Sequence, residues 1–444
     1  MLKRGLSFLL PLVGLHFFID RFHPIYNVPE LDEDDYYGNG SVRADEDIIS
    51  DFKISFDKDT IEDLKRRVKD GLKRQFTPLE NNFELGVNLN YLQNISEPFL
   101  NFDWRQHQYF LNTFDHYITE IEGIGIHFLR MNYPVKPGQK KFPILLIHGF
   151  PNSFWDFYKI IPVLANPSRF GYDFGGKNTI VFDVIVPSIP GFGFSEKPSK
   201  SGVGFVECAR IFGKLMSRLG HDRYFIHGSS IVGSQVGSAL AAIQPQAIMG
   251  LHMSDPYIDV TSSWLFMAKY YWSRSWASFV HYEYSSGLNL HESYYDRPDT
   301  LSVAINDSPL GLTAFLMDRW ARGTSQNFKT HAQGELQTHY TVDELLTEVY
   351  IYWLTGTFPT AARFLYYSRN HPLGSQFSRA TIGIPTGIIN FPQTPHQMPY
   401  SILKLKYHNI TRFVEASNGG EFAAIESWKK LSEEIFSFVE LVTL

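Results

Sequence analysis

Ser230 is the residue best placed to act as a nucleophile. It stands in Gly228-Ser229-Ser230-Ile231-Val232-Gly233, directly after the apolar run Tyr224-Phe225-Ile226-His227-Gly228. A small-residue turn between a strand and a helix is sharp enough to present one side chain at the rim of a sheet. A serine hydroxyl is a weak nucleophile unless a base lies beside it. Histidine titrates in the right range for that task, and a carboxylate is a poor base for a hydroxyl near neutrality. His148 and His227 have structural readings, as a turn residue and a strand end. His396 and His408 would have to be brought in from elsewhere in the fold. The second piece of machinery is His148-Gly149-Phe150-Pro151, which also follows an apolar run. A turn of this kind offers backbone N–H groups to an oxyanion, here those of Phe150 and of Ile231.

The elements that must hold these residues are legible as periodicity. Phe142-Pro143-Ile144-Leu145-Leu146-Ile147-His148-Gly149, Val181-Phe182-Asp183-Val184-Ile185-Val186-Pro187 and Tyr224–Gly228 are near-continuous apolar runs. Such runs suit parallel strands buried on both faces. Between the last two, Phe205, Ala209, Phe212, Met216 and Leu219 fall on one helical face, and Gly220 ends it. A β-α-β order predicts a parallel sheet with helices on both faces. A third turn, Pro187-Ser188-Ile189-Pro190-Gly191-Phe192-Gly193-Phe194-Ser195, follows the middle strand. The three turns, in this order and spacing, predict an α/β-hydrolase fold with a mostly parallel central sheet.

Here the sequence resembles the epoxide hydrolases of the microsomal and juvenile-hormone type, over nearly its whole length. The resemblance is carried by an N-terminal hydrophobic segment, Phe102-Asp103-Trp104, Ile121–Phe128, the HGFP turn and Phe157–Pro162. It continues in Ala304–Leu312, Tyr352–Thr357 and Gly419-Gly420-Glu421-Phe422-Ala423-Ala424. It implies a helical lid over the site and an epoxide-hydrolase-type N-terminal segment. The expected divisions are 1–22 for a hydrophobic anchor or signal and 46–135 for the N-terminal domain. The core would take 136–260 and 370–444, and the lid 261–369.

The mechanism implied by the resemblance needs an Asp on the elbow, a His base held by an acid, and two lid tyrosines that protonate the opening epoxide oxygen. This sequence departs at each place. Ser230 stands at the nucleophile position, Glu421 at the His position and Thr394 at the acid position. Leu290 and Leu365 stand at the lid tyrosine positions, with Tyr294, Tyr295, Tyr366 and Tyr367 nearby as partial substitutes. Two registers are open for the elbow. With Ser230 as its central residue, Val232 crowds the second small position. With Gly233 in that role, Ile231 falls at the nucleophile position. Neither supplies a carboxylate. The expectation is an epoxide-hydrolase-like protein without catalysis, binding an apolar ligand such as a lipid or terpenoid. The alternatives are an active epoxide hydrolase with rearranged residues, a Ser230 esterase, and an interaction module that keeps only the scaffold. None calls for a cofactor or a metal.

Composition bounds the rest. The 444 residues are 44% hydrophobic and 16% aromatic, with a formal net charge of −6 and no basic stripe. That excludes a disordered chain and argues against a nucleic-acid partner. Cys208 is the sole cysteine, so an intrachain disulfide is impossible. Leu6 to Ile19 is apolar, follows Lys3 and Arg4, and predicts a short membrane anchor or signal core, with the endoplasmic reticulum as the expected membrane. Sequons stand at Asn39, Asn94, Asn306 and Asn409. The acidic stretch Leu31–Gly38 reads as a solvated linker, and Thr60 as the cap of a helix with Ile61, Leu64, Val68 and Leu72 on one face.

Overall fold

The computed structural model describes residues 25–172, 179–275, 296–394 and 397–444. The N-terminal apolar run, Leu290, Tyr294, Tyr295 and His396 lie outside the described residues. Among those described, no helix is long and apolar enough to cross a membrane.

Nine strands form one sheet among the described residues: β1 (Ile49–Phe52), β2 (Asp115–Ile121), β3 (Ile124–Met131), β4 (Gln139–Ile147), β5 (Thr179–Pro187), β6 (Tyr224–Gly228), β7 (Ile248–Ser254), β8 (Thr386–Asn390) and β9 (Ile410–Glu415). Their spatial order is β1-β2-β3-β5-β4-β6-β7-β8-β9. The β1, β2 and β3 strands pair antiparallel, and β3 joins β5 antiparallel. From β5 through β9 every pairing is parallel. The architecture is the α/β-hydrolase fold. Every residue of β6 and β8 is buried, as continuous apolar runs flanked by helices require.

The helices that matter to the site are α1 (Lys58–Leu72), α2 (Trp104–Leu111), α3 (Phe205–Arg218), α4 (Ser230–Ile243), α5 (Pro309–Thr324), α6 (Val342–Thr355), α7 (Phe358–Arg369), α8 (Tyr400–Lys406) and α9 (Trp428–Thr443). The described part of the segment between β7 and β8 is mostly helical and contributes α5, α6 and α7. The α3 helix is closed at its start by Glu207, whose carboxylate accepts the Gly204 N–H at 2.9 Å. Gly220, at φ +76°, turns the chain after its last residues.

Two expectations need correction. Thr60 does not cap α1. Asp57 does, accepting the Thr60 N–H, because the helix begins two residues earlier at Lys58. Nor is the acidic stretch 31–38 simply a solvated linker. Tyr36 and Tyr37 are 4% and 5% exposed. The Tyr37 N–H donates to the Glu122 carbonyl, and its hydroxyl donates to Asp35 at 2.8 Å. The acids there are exposed, but the two rings between them bury enough apolar surface to pin the segment.

The β2–β3 connection explains that anchorage. Glu122 and Gly123 both have positive φ, as a two-residue hairpin with right-handed twist requires. The Glu122 side chain is buried and receives Arg210 through two contacts of 2.7 Å, with Lys214 at 2.9 Å. The hairpin is thereby tied to α3 and the N-terminal strap to both.

Candidate active site

The elbow forms at Ser230. Its φ is +60°, the left-handed region that a non-glycine residue enters only when its surroundings compel it. Two glycines do the compelling. A Cβ on Gly228 would lie 2.4 Å from the Gly233 carbonyl oxygen, and one on Gly233 would lie 2.3 Å from the Ile147 carbonyl oxygen. Helix α4 therefore lies almost against the backbone of β4 and β6, and only hydrogen fits at the two crossing points. The backbone decides the register left open by the sequence: Ser230, and not Ile231, carries the positive φ at the apex, and Gly233 makes the close approach three residues on.

The Ser230 side chain is buried, and its hydroxyl donates to Glu421 Oε1 at 2.7 Å. Glu421 is 1% exposed and sits on the loop after β9. Its two oxygens accept from Arg319 Nη2 at 2.8 and 2.9 Å. Arg319 projects from α5 and lies over the Phe422 ring at 5.7 Å. Its guanidinium faces the carboxylate directly, a charge-assisted contact in an enclosed place. The Glu421 N–H also donates to the Gly323 carbonyl at 2.7 Å, tying the loop to α5.

The HGFP turn closes over this pair. A Cβ on Gly149 would meet Ser230 Cβ at 2.7 Å and its Oγ at 2.9 Å. The Phe150–Pro151 bond is cis. His148 is fully buried: its Nδ1 donates to the Gly149 carbonyl at 2.9 Å, and its Nε2 accepts the Ile189 N–H at 3.1 Å. Burial pushes its pKa down to about 4. The ring is neutral, both nitrogens are used, and it braces two of the three turns against each other. His227 pairs with His252 through a 2.9 Å Nδ1···Nδ1 contact inside the sheet. His408 is exposed. No described histidine hydrogen-bonds to Ser230. Ile231 lies in the first turn of α4, where backbone N–H groups have no acceptor within the helix.

Thr394 is buried beside Asp255. Asp255 follows β7, has φ +50°, and accepts the Phe391 N–H at 2.9 Å. Burial, with Glu421 and Glu426 nearby, pushes its carboxyl well above the usual range and keeps it protonated. Leu365, on α7, is buried and lines a cavity with Ile231. Tyr367 lines a different cleft, with Pro198 and Arg363.

No local pattern in the sequence points to Arg319, Asp255 or the acids behind the HGFP turn. Asn152 there links the Trp320 indole N–H, at 2.7 Å, to the Asp156 carboxyl. Ser153 donates to Glu348 at 3.0 Å. Burial pushes Asp156 up to about 8 and Glu348 well above its ordinary value. Both are held neutral, which is how carboxyl groups without cations tolerate a dry interior. These contacts join residues about 170 to 195 apart in sequence, and no local pattern encodes them.

The fold, the glycine-locked elbow and the turn above it define an α/β-hydrolase protein. Residues 143–285 match the family model for the alpha/beta hydrolase fold, and residues 49–157 that for the epoxide hydrolase N terminus. The chain belongs to the epoxide hydrolase family. It is 34% identical over 431 residues to epoxide hydrolase 1 of Sus scrofa, covering 92% of this chain and 93% of that protein. It is 32% identical over 454 residues to juvenile hormone epoxide hydrolase 2 of Ctenocephalides felis, covering 96% and 92%. The crystal structure of juvenile hormone epoxide hydrolase from the silkworm Bombyx mori superposes with a TM-score of 0.83 at 27% identity, covering 93% of this chain and 99% of that one.

Proposed function

We propose that this protein is a non-hydrolytic member of its family that binds an apolar ligand, lipid or terpenoid in character. One observation carries the reading: the Ser230 hydroxyl donates to Glu421 while Glu421 is held by Arg319. Attack on an epoxide carbon at neutral pH needs an anion, and hydrolysis of the resulting ester needs a base that cycles its proton. Here the elbow holds an alcohol. The carboxylate it faces is engaged through both oxygens by a guanidinium. Asp255, a buried acid beside Thr394, is protonated, and among the described residues no imidazole hydrogen-bonds to it. What supports binding is the greasy wall beside the elbow, where Ile231, Leu365, Phe205 and Phe377 line one cavity. The N-terminal apolar run would hold such a binding protein at a membrane of the endoplasmic reticulum.

The test is turnover of styrene oxide and of a p-nitrophenyl ester by the purified chain, beside Ser230→Ala and the triple variant Ser230→Asp, Glu421→His, Thr394→Glu. The expected result is no diol and no ester cleavage by the unmodified protein above the Ser230→Ala background. Diol formation abolished by Ser230→Ala would overturn the reading, and ester cleavage lost in the same variant would make the protein a serine esterase instead.

A further inference from the structure

Beside the elbow, with Ile231 and Val232 in its wall, lies a cavity of about 280 Å³ that a buried lysine also lines. Lys406, the last residue of α8, is 4% exposed. Among the described residues its ammonium makes one hydrogen bond, 3.1 Å to the Phe377 carbonyl oxygen, and no ion pair engages it. The Tyr407 ring lies 5.7 Å away. An ammonium carries three donors, so two remain to be satisfied. An uncompensated cation in a dry place is costly, and proteins tolerate one mainly where something binds it.

The other ionisable groups facing this cavity are already committed or peripheral. Asp259 accepts from the Thr261 N–H and hydroxyl. His371 Nε2 lies 2.8 Å from Glu207. Arg369 is exposed and pairs with Asp296 at 3.7 Å. Tyr257 adds a phenol that burial holds neutral. The remaining wall is mixed, with an apolar side from Phe205, Ile231, Leu365 and Phe377 and a polar one from Gln235, Ser368, Ser375 and Ser378. The volume is at the lower end of the range of small-molecule sites, roughly 300 Å³. A pocket with one interior cation, an apolar wall and a second cation at its edge is complementary to an amphipathic anion.

We propose that Lys406 is the headgroup anchor of a binding site for a monocarboxylic acid with a medium-length apolar body. The carboxylate would accept the two spare ammonium donors, and the tail would lie along Phe205, Ile231 and Leu365. This rests on the binding reading above but adds to it a place and a charge. It does not depend on whether Ser230 is inert.

Burial pushes the Lys406 pKa down to about 7. A bound carboxylate favours the charged amine, so binding takes up a proton near neutrality and affinity falls as pH rises above that value.

The experiment is calorimetric titration of the full chain with decanoate and, in parallel, with 1-decanol, for the natural protein and for Lys406→Met. The expected result is decanoate binding at least about tenfold tighter than the alcohol, a preference lost in Lys406→Met. Methionine fills the same space without charge, and alcohol binding by the variant verifies that its cavity is intact. A second measurement needs no variant: decanoate affinity at pH 6 should exceed that at pH 8.5 by about tenfold or more, with alcohol affinity level. Equal affinity for the two ligands, or a preference surviving Lys406→Met, would overturn the lysine anchor while leaving the apolar-ligand reading standing. Failure of the natural protein to bind either ligand would overturn both.

Discussion

One guanidinium nitrogen of Arg319 bridges both oxygens of Glu421, at 2.8 and 2.9 Å, and Glu421 in turn receives the hydroxyl of Ser230 at 2.7 Å. Three residues from three distant segments thus form one buried chain of charge-assisted contacts. Removing one member of such a pair strands the other charge, whereas removing both leaves only a volume to fill. Arg319→Met should therefore cost about 3 kcal/mol in urea unfolding, and Arg319→Met with Glu421→Leu should recover most of that loss. A double variant no more stable than the single one would mean that the pair itself stabilises the fold.

Ser230 holds a left-handed backbone and a hydrogen bond, and two substitutions separate them. Ser230→Ala keeps the strained conformation and loses the bond to a buried charge, a loss of about 2 kcal/mol. Ser230→Gly loses the same bond but relieves the strain at φ +60°, so it should be more stable than Ser230→Ala by about 1 kcal/mol. Thermal melts of the two variants side by side give the answer, and an alanine variant equal to or above the glycine one would remove strain from the account.

His227 and His252 form a buried pair that titrates far below ordinary imidazole. Burial pushes His252 down to about 3 and His227 well below its usual value. Both rings are neutral when folded and take up protons when unfolded. The stability they confer is whole above the unfolded pKa near 6.5 and is lost as pH falls below it. Between pH 7 and pH 5 the stability difference between the natural protein and a His227→Phe, His252→Leu variant should shift against the natural protein by about 2 kcal/mol for His252 alone. Chemical denaturation at the two pH values measures it, and a difference independent of pH would contradict the pairing.

Glu426 runs the other way. Burial pushes its carboxyl up to about 8, and its Oε1 accepts the Gly420 N–H. A raised carboxyl pKa contributes stability that is complete below the unfolded value and is lost as pH climbs toward the folded one. Glu426→Gln keeps the acceptor and cannot ionise. Relative to the natural protein it should gain about 4 kcal/mol between pH 4.5 and pH 8, seen as converging and then crossing urea midpoints. Parallel midpoints across that range would place the proton elsewhere, with the neighbouring Tyr340 and His339 the first groups to examine.

The parts legible in the sequence are those encoded locally. Apolar runs announced β4, β5 and β6, and the 3.6-residue spacing with its terminal glycine announced α3. The turn of small residues announced an elbow near Ser230. Its register stays open in the sequence because Val232 and Gly233 are both candidates for the second small position, and only the positive φ at Ser230 decides between them. Glu421 was found through its flanking glycines. Arg319 was not, because nothing on an amphipathic helix distinguishes an inward-reaching arginine from a solvated one. Asp255 was missed because burial, which gives it its character, is a property of the assembled sheet. Lys406 reads from sequence as one of several charges near a helix C-terminus.

The contact of Gly228 and Gly233 across the crossing of β6 and α4 bears on what this frame can carry. The bend at Ser230 is enforced by backbone meeting backbone, and no reactive group takes part. The mould of the active site therefore outlasts whatever is cast in it. Exchanging the residue at its apex changes reactivity without asking the surrounding chain to refold, so lineages of this architecture can abandon a chemistry, or take up another, by altering side chains on an unmoved frame.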